Sequence, residues 1–167
     1  LEFRRVLFRS WASNLHYLLE SKRLRSLHVM CTVNALCLFS LTDLLWHIVR
    51  LKEKYGKDAI NFTLNILRFP SFQSPLVLPD EIRTRHKQRL EAWLKRWANN
   101  IDLQEHEHNH VQRLIDYLDV VKTPHSEAFE LDKLHNDFKQ FYTQYDQRRG
   151  KNFAITFPQL NSWYQSL

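Results

Sequence analysis

The run QEHEHNH, Gln104 to His110, places His106, Glu107, His108, Asn109 and His110 in the order HExxH. On a helix, this order sets two imidazoles one turn apart to ligate zinc, with the glutamate as general base of a hydrolase. That chemistry also needs a third ligand, an open coordination position and a cavity that excludes bulk water. At about 100° per residue, His106 and His110 share a face, but it lies more than a quarter-turn from the apolar stripe Val111, Leu114, Ile115 and Leu118. The spacing therefore predicts that both motif histidines look outward, while His108 flanks the stripe and packs.

Other reactive residues are sparse. Cys31 and Cys37 are separated by five residues inside an apolar run, a spacing that matches neither a zinc knuckle nor a cluster-binding triad. They read as reduced, buried thiols of a cytoplasmic protein. No glycine-rich phosphate loop and no nucleophile elbow is present. A net charge of +6 permits contact with nucleic acid. Arg85, Arg89 and Arg96 share one helix face opposite the tryptophans and form a candidate phosphate-tracking strip, with a solvated face as the plainer reading.

The elements that must position any site follow from periodicity. The chain has 167 residues, 44% hydrophobic and 25% charged, which suits one folded domain with a core. Two glycines leave little room for hairpins, and no window reaches eighteen apolar residues, so no membrane span is expected. The opening decamer LEFRRVLFRS reads as a non-native leader, residues 1–10, joined to a truncated frame. Trp11, Leu15, Leu18 and Leu19 predict a helix to Lys22.

Leu27 to Ala35 alternates apolar residues and predicts a buried strand, as does Ile60 to Leu67. Between them, Ser40 and Asp43 make a capping-box-like start, Leu44, Leu45, Ile48 and Leu51 a helical stripe, and Gly56 after Lys52 and Lys54 a helix stop. Strand, helix, strand is a βαβ unit with parallel strands and a right-handed crossover. Past the proline-rich loop, Pro79, Asp80 and Glu81 open a helix striped by Ile82, His86, Leu90, Trp93, Leu94 and Trp97. A further helix carries Val111 to Leu118, and another carries Phe129, Leu134, Phe138, Phe141, Tyr142 and Tyr145 as core aromatics, with Gly150 as its cap.

A lone βαβ unit leaves both sheet edges open, so either helices enclose it or partner strands precede it; the second is the expectation here. In parallel α/β folds, ligands bind beyond the C-terminal strand ends. Those ends carry Thr32 and Asn34 on the first strand, and Asn65 and Arg68 on the second.

Four stretches, CTVNALCLFSLTDLLWHIV, NFTLNILRFPSFQSPLVLPDEIR, the helical tail and the terminal YDQRRGKNFAITFPQLNSWY, resemble the C-terminal part of radical S-adenosylmethionine proteins with a twitch domain. The resemblance implies an α/β fold, the last two strands of a partial (β/α)6 barrel over residues 11–79, followed by a helical C-terminal extension over 80–167. It implies S-adenosylmethionine and a 4Fe-4S cluster as cofactors of the parent protein, and a substrate that includes peptides or proteins among its candidates. The CxxxCxxC loop that would hold the cluster is absent from this chain. On this resemblance Thr32 and Asn34 would hydrogen-bond the cofactor, Asn65 would line the same cavity, and Arg68 would bind a carboxylate. The chain alone is expected to be inactive. The alternative is a basic helical module that binds nucleic acid or a protein partner through Arg85, Arg89 and Arg96, and a zinc hydrolase ranks last.

Overall fold

The computed structural model describes residues 2–97, 103–120 and 130–167, with side chains from Phe8 onward. The order is α1 (Glu2–Ser21), β1 (Leu27–Val33), α2 (Leu38–Tyr55) and β2 (Ile60–Ile66). Two short 3₁₀ turns, Ser71–Gln73 and Pro75–Val77, follow, and then α3 (Asp80–Trp97), α4 (Glu105–Leu118) and α5 (Leu131–Arg149). α6 (Phe153–Thr156) and α7 (Asn161–Ser166) close the tail. The strands pair in parallel from Leu27 opposite Ile60 to Val33 opposite Ile66, so the βαβ unit forms as expected. Among the described residues the sheet has these two strands and no barrel. The helix expected from Trp11 begins at Glu2, and Phe129 lies outside the described residues.

Ser40 and Asp43 do not start α2, which begins at Leu38. The turn before it is closed instead by Asn34, whose Oδ1 accepts the Leu36 and Cys37 N–H groups at 3.0 and 2.9 Å. An asparagine just past a strand can fold the backbone back on its own side chain before a downstream serine can act. Gly56 ends α2 as expected, at φ 103° with its N–H on the Lys52 carbonyl at 2.8 Å.

Alternation then assigns the two sheet faces. Val29, Cys31 and Val33 join Phe62 and Leu64 against Leu45 and Ile48 of α2, Leu90 and Trp93 of α3, and Val111 and Leu114 of α4. The opposite face carries exposed His28, Met30, Thr32 and Asn65, with half-buried Asn61 and Thr63. Met30 is 72% exposed there. His28 ties this face together, one ring nitrogen on Asn61 Oδ1 and the other 3.1 Å from Thr63 Oγ1.

The edges differ as much as the faces. Leu27 donates to the Ala59 carbonyl and Leu67 to the Val33 carbonyl, so the even-numbered residues of β2 turn their backbone groups away from β1. α4 receives them: Glu107 Oε1 accepts the Phe62 N–H at 3.0 Å, and Arg113 donates to the Leu64 carbonyl at 2.6 Å. Its side chains thus serve where a third strand would pair. The outer edge of β1 has no such guard; no described residue hydrogen-bonds the outward backbone groups of His28, Met30 and Thr32.

Glu107 also meets Lys52, with Nζ 2.9 Å from Oε2 and both side chains fully buried. The sequence assigns Lys52 to the helix terminus as a charge that offsets the dipole, but it lies on the face that α4 covers. Its Nζ further donates to the Lys57 carbonyl at 3.0 Å, and Glu107 Oε2 accepts the Gln104 N–H at 2.8 Å. A buried pair stabilises little relative to apolar replacements, but removing one partner strands the other charge. Glu107→Gln should therefore lower unfolding free energy by about 3–5 kcal/mol in urea titrations. Adding Lys52→Met should recover part of that loss, since it removes the stranded charge while the side-chain amide still accepts the Phe62 N–H, though not the Gln104 N–H as well.

His86, in the core stripe of α3, packs edge-on against Phe39 with ring centroids 4.6 Å apart, and its Nδ1 has no partner among the described residues. Burial, with Arg89 and Arg85 nearby, pushes its pKa down from 6.5 to about 4. The unfolded chain then binds a proton that the fold refuses, so stability is complete above pH 6.5 and falls as pH drops towards 4. The expected loss is on the order of 2 kcal/mol. His86→Leu should flatten the decline in urea midpoints measured across that interval.

Candidate functional site

The C-terminal strand ends are built by β1, β2 and the turns that leave them. Thr32 and Asn65 are register partners on the solvent-facing side of the sheet, so pairing sets them side by side. Their side chains make no hydrogen bond among the described residues. Asn34 is half-buried, and its Oδ1 is committed to the turn into α2. Only its amide N–H groups remain for a ligand. Arg68 is exposed and stands over the Tyr117 ring, its guanidinium carbon 5.4 Å from the centroid. Tyr117 is in turn held by a 2.9 Å hydroxyl contact with Ser74. The structure therefore joins Thr32 with Asn65, gives Asn34 a structural role, and draws Arg68 onto an aromatic ring.

A cleft of about 580 Å³ opens at the same end, between the β1–α2 turn and the tail. Asn34, Cys37 and Ser40 form one wall, and Phe141, Tyr145 and Phe157 the other. Phe141 and Tyr145 were expected in the core, but they are 40% and 46% exposed. α5 buries Leu134 and Phe138 and then overhangs the cleft. The sequence carried one signal of this: Phe141 and Tyr142 are adjacent, about 100° apart, and cannot both face one core.

The HExxH residues are spent on architecture. His106 is exposed as expected. His110 is not turned outward: its Nδ1 lies 3.2 Å from the Leu64 carbonyl and 3.0 Å from Arg113 Nη2. The reason is that α4 uses a second face, beside its apolar stripe, to cover the β2 edge. Burial first, and then the Arg113 charge, hold the His110 pKa below its ordinary value. Glu107, the would-be general base, is buried against Lys52 and backbone N–H groups. Among the described residues no group of three His, Cys, Asp or Glu side chains is disposed to hold a metal ion.

The remaining candidates divide. Cys31 is pushed up to about 11, chiefly by burial and secondly by Cys37, so it stays a neutral thiol at physiological pH. Arg85 and Arg89 are exposed, with no hydrogen bond or ion pair among the described residues. Arg96 is instead laid over Trp46, 4.7 Å from the ring centroid, which interrupts the basic strip. No described helix is long and apolar enough to cross a membrane.

No protein-family model matches the chain, and neither the curated proteins nor the solved structures contain a detectable relative. The site therefore rests on its own geometry. Asn34→Ala should cost about 1 kcal/mol in urea unfolding, because the turn loses its acceptor. Thr32→Ala and Asn65→Ala should stay within about 0.5 kcal/mol of the parent, as expected of groups with no structural partner.

Proposed function

We propose that this chain is the C-terminal portion of a radical S-adenosylmethionine enzyme, contributing the last two strands of its barrel and a helical extension. The observation that carries this reading is the asymmetry of the sheet. Among the described residues one face is covered by helices, the other is polar and open, and α4 side chains meet the β2 edge while none meets the β1 edge. A strand pair from a larger parallel barrel has this form: helices outside, polar side chains towards the lumen, and a free edge where the preceding strand pairs.

In that setting Thr32 and Asn65 supply adjacent hydrogen-bonding groups, and the Asn34 amide donates from the turn above them. Arg68, oriented by Tyr117, offers a cation to a carboxylate of cofactor or substrate. The aromatic wall of Phe141 and Tyr145 gives an apolar or ring-bearing substrate a surface. The chain's two cysteines do not fit the role of cluster ligands, since a 4Fe-4S cluster needs more thiolates and Cys31 resists ionisation. The ligands of such a cluster would have to come from other sequence.

The test is the longer reading frame. A CxxxCxxC within roughly 200 residues upstream of Trp11, the remaining length of such a barrel, is the expected result. An in-frame Met preceded by stop codons immediately before Trp11 would sink the proposal. In the extended protein, Arg68→Ala should weaken S-adenosylmethionine binding about tenfold in calorimetry if its charge meets the cofactor carboxylate.

A further inference from the structure

The N-terminal strand ends face a second cleft, of about 620 Å³, unconnected with the site just described. It lies where α1 and α2 both end and where the turn SKRLRS leads into β1. Lys22, Arg25 and Lys57 line it, and none of their side chains enters a hydrogen bond or ion pair among the described residues. Two apolar side chains of the lining, Leu18 and Leu24, 38% and 49% exposed, stand among these cations.

Cations at helix C-termini often do no more than offset the helix dipoles, so the charge has to be weighed. Two helix ends together amount to about one negative charge. Asp58 adds one, and its carboxylate is already held by Gln104 Nε2 at 3.0 Å. Glu20 is engaged separately, 3.4 Å from Lys54 and 2.9 Å from the Tyr55 hydroxyl. Three unpaired cations exceed what remains. We infer that this cleft binds a soluble phosphate monoester bearing a short apolar chain, the phosphate among Lys22, Arg25 and Lys57 and the chain along Leu18 and Leu24. The exposed cations surround a cleft of limited volume, which favours a single small ester over a lipid surface. The inference is independent of the proposed enzyme, because it uses the opposite end of the sheet.

Octyl phosphate, titrated below its micelle concentration into ¹⁵N-labelled protein, tests this directly. Saturable shifts are expected at the amides of Leu24, Gly56 and Lys57, weakening as salt rises from about 0.05 to 0.5 M. In the variant Lys22→Gln, Arg25→Gln, Lys57→Gln the Kd should rise at least about tenfold, with the dispersed spectrum retained because these side chains are solvent-facing. Arg25→Lys alone should keep most of the affinity, and Asn34→Ala at the far end should leave it unchanged. Equal affinity in the triple variant, equally tight binding of octanol or inorganic phosphate, or the absence of saturable shifts would overturn the assignment. Capture by phosphatidylcholine vesicles containing about one-third phosphatidylserine would overturn it in favour of a lipid surface.

Discussion

The buried pair of Lys52 and Glu107 is the constraint on which the arrangement of this molecule depends. One carboxylate receives an ammonium from the last turn of α2, the Phe62 N–H of β2 and the Gln104 N–H at the start of α4. Three elements distant in sequence are thereby fixed at one point. An apolar residue at position 107 could bury comparable area, but it would not specify where along β2 the helix must stop. Hydrogen bonds to two particular amides do specify it, and directionality rather than net stabilisation is what a buried ion contributes here. With α4 anchored there, His110 and Arg113 fall beside the Leu64 carbonyl further along β2.

From that anchoring follows the polarity of the sheet. A two-stranded parallel ribbon is weak in water because both edges and one face remain hydrated. Among the described residues, α4 guards the β2 edge with side chains, α2, α3 and α4 bury one face, and β1 keeps an open edge and a polar surface bridged by His28. Asymmetric protection of this kind distinguishes an edge closed by the fold from one available to another strand. It also explains why Thr32 and Asn65 can stay without partners. They lie on hydrated surface in this chain and would become costly to leave unpaired only if that surface were enclosed.

The βαβ order with its parallel strands and the apolar stripes of α3 and α4 were legible because each rests on a period of two or 3.6 within one segment. Gly56 and Gly150 were legible as helix stops for a similarly local reason, their positive φ values of 103° and 57°. Lys52 and Glu107 were not. Nothing in the spacing of either segment shows that a lysine and a glutamate from different helices will meet in a dry interior; that is a property of tertiary packing. Asn34 was found by its position at a strand end, but its role differs, since the short-range turn claims its acceptor first. Phe141 and Tyr145 were misread because a helical stripe continues past the point where its partner surface ends.

The HExxH match is the sharpest case of one pattern serving two physical ends. A zinc hydrolase needs a glutamate near two imidazoles beside an open coordination position; a helix start needs a glutamate in its first turn to take an orphan amide. Glu107 does the second, accepting the Gln104 N–H, and its remaining capacity goes to Lys52 and Phe62. A carboxylate fully buried against an ammonium and two backbone amides has no access to bulk solvent, so it is not placed to act as a general base. His110 is constrained in the same way: its Nδ1 faces a carbonyl and an arginine. The motif thus reports how α4 is seated on β2.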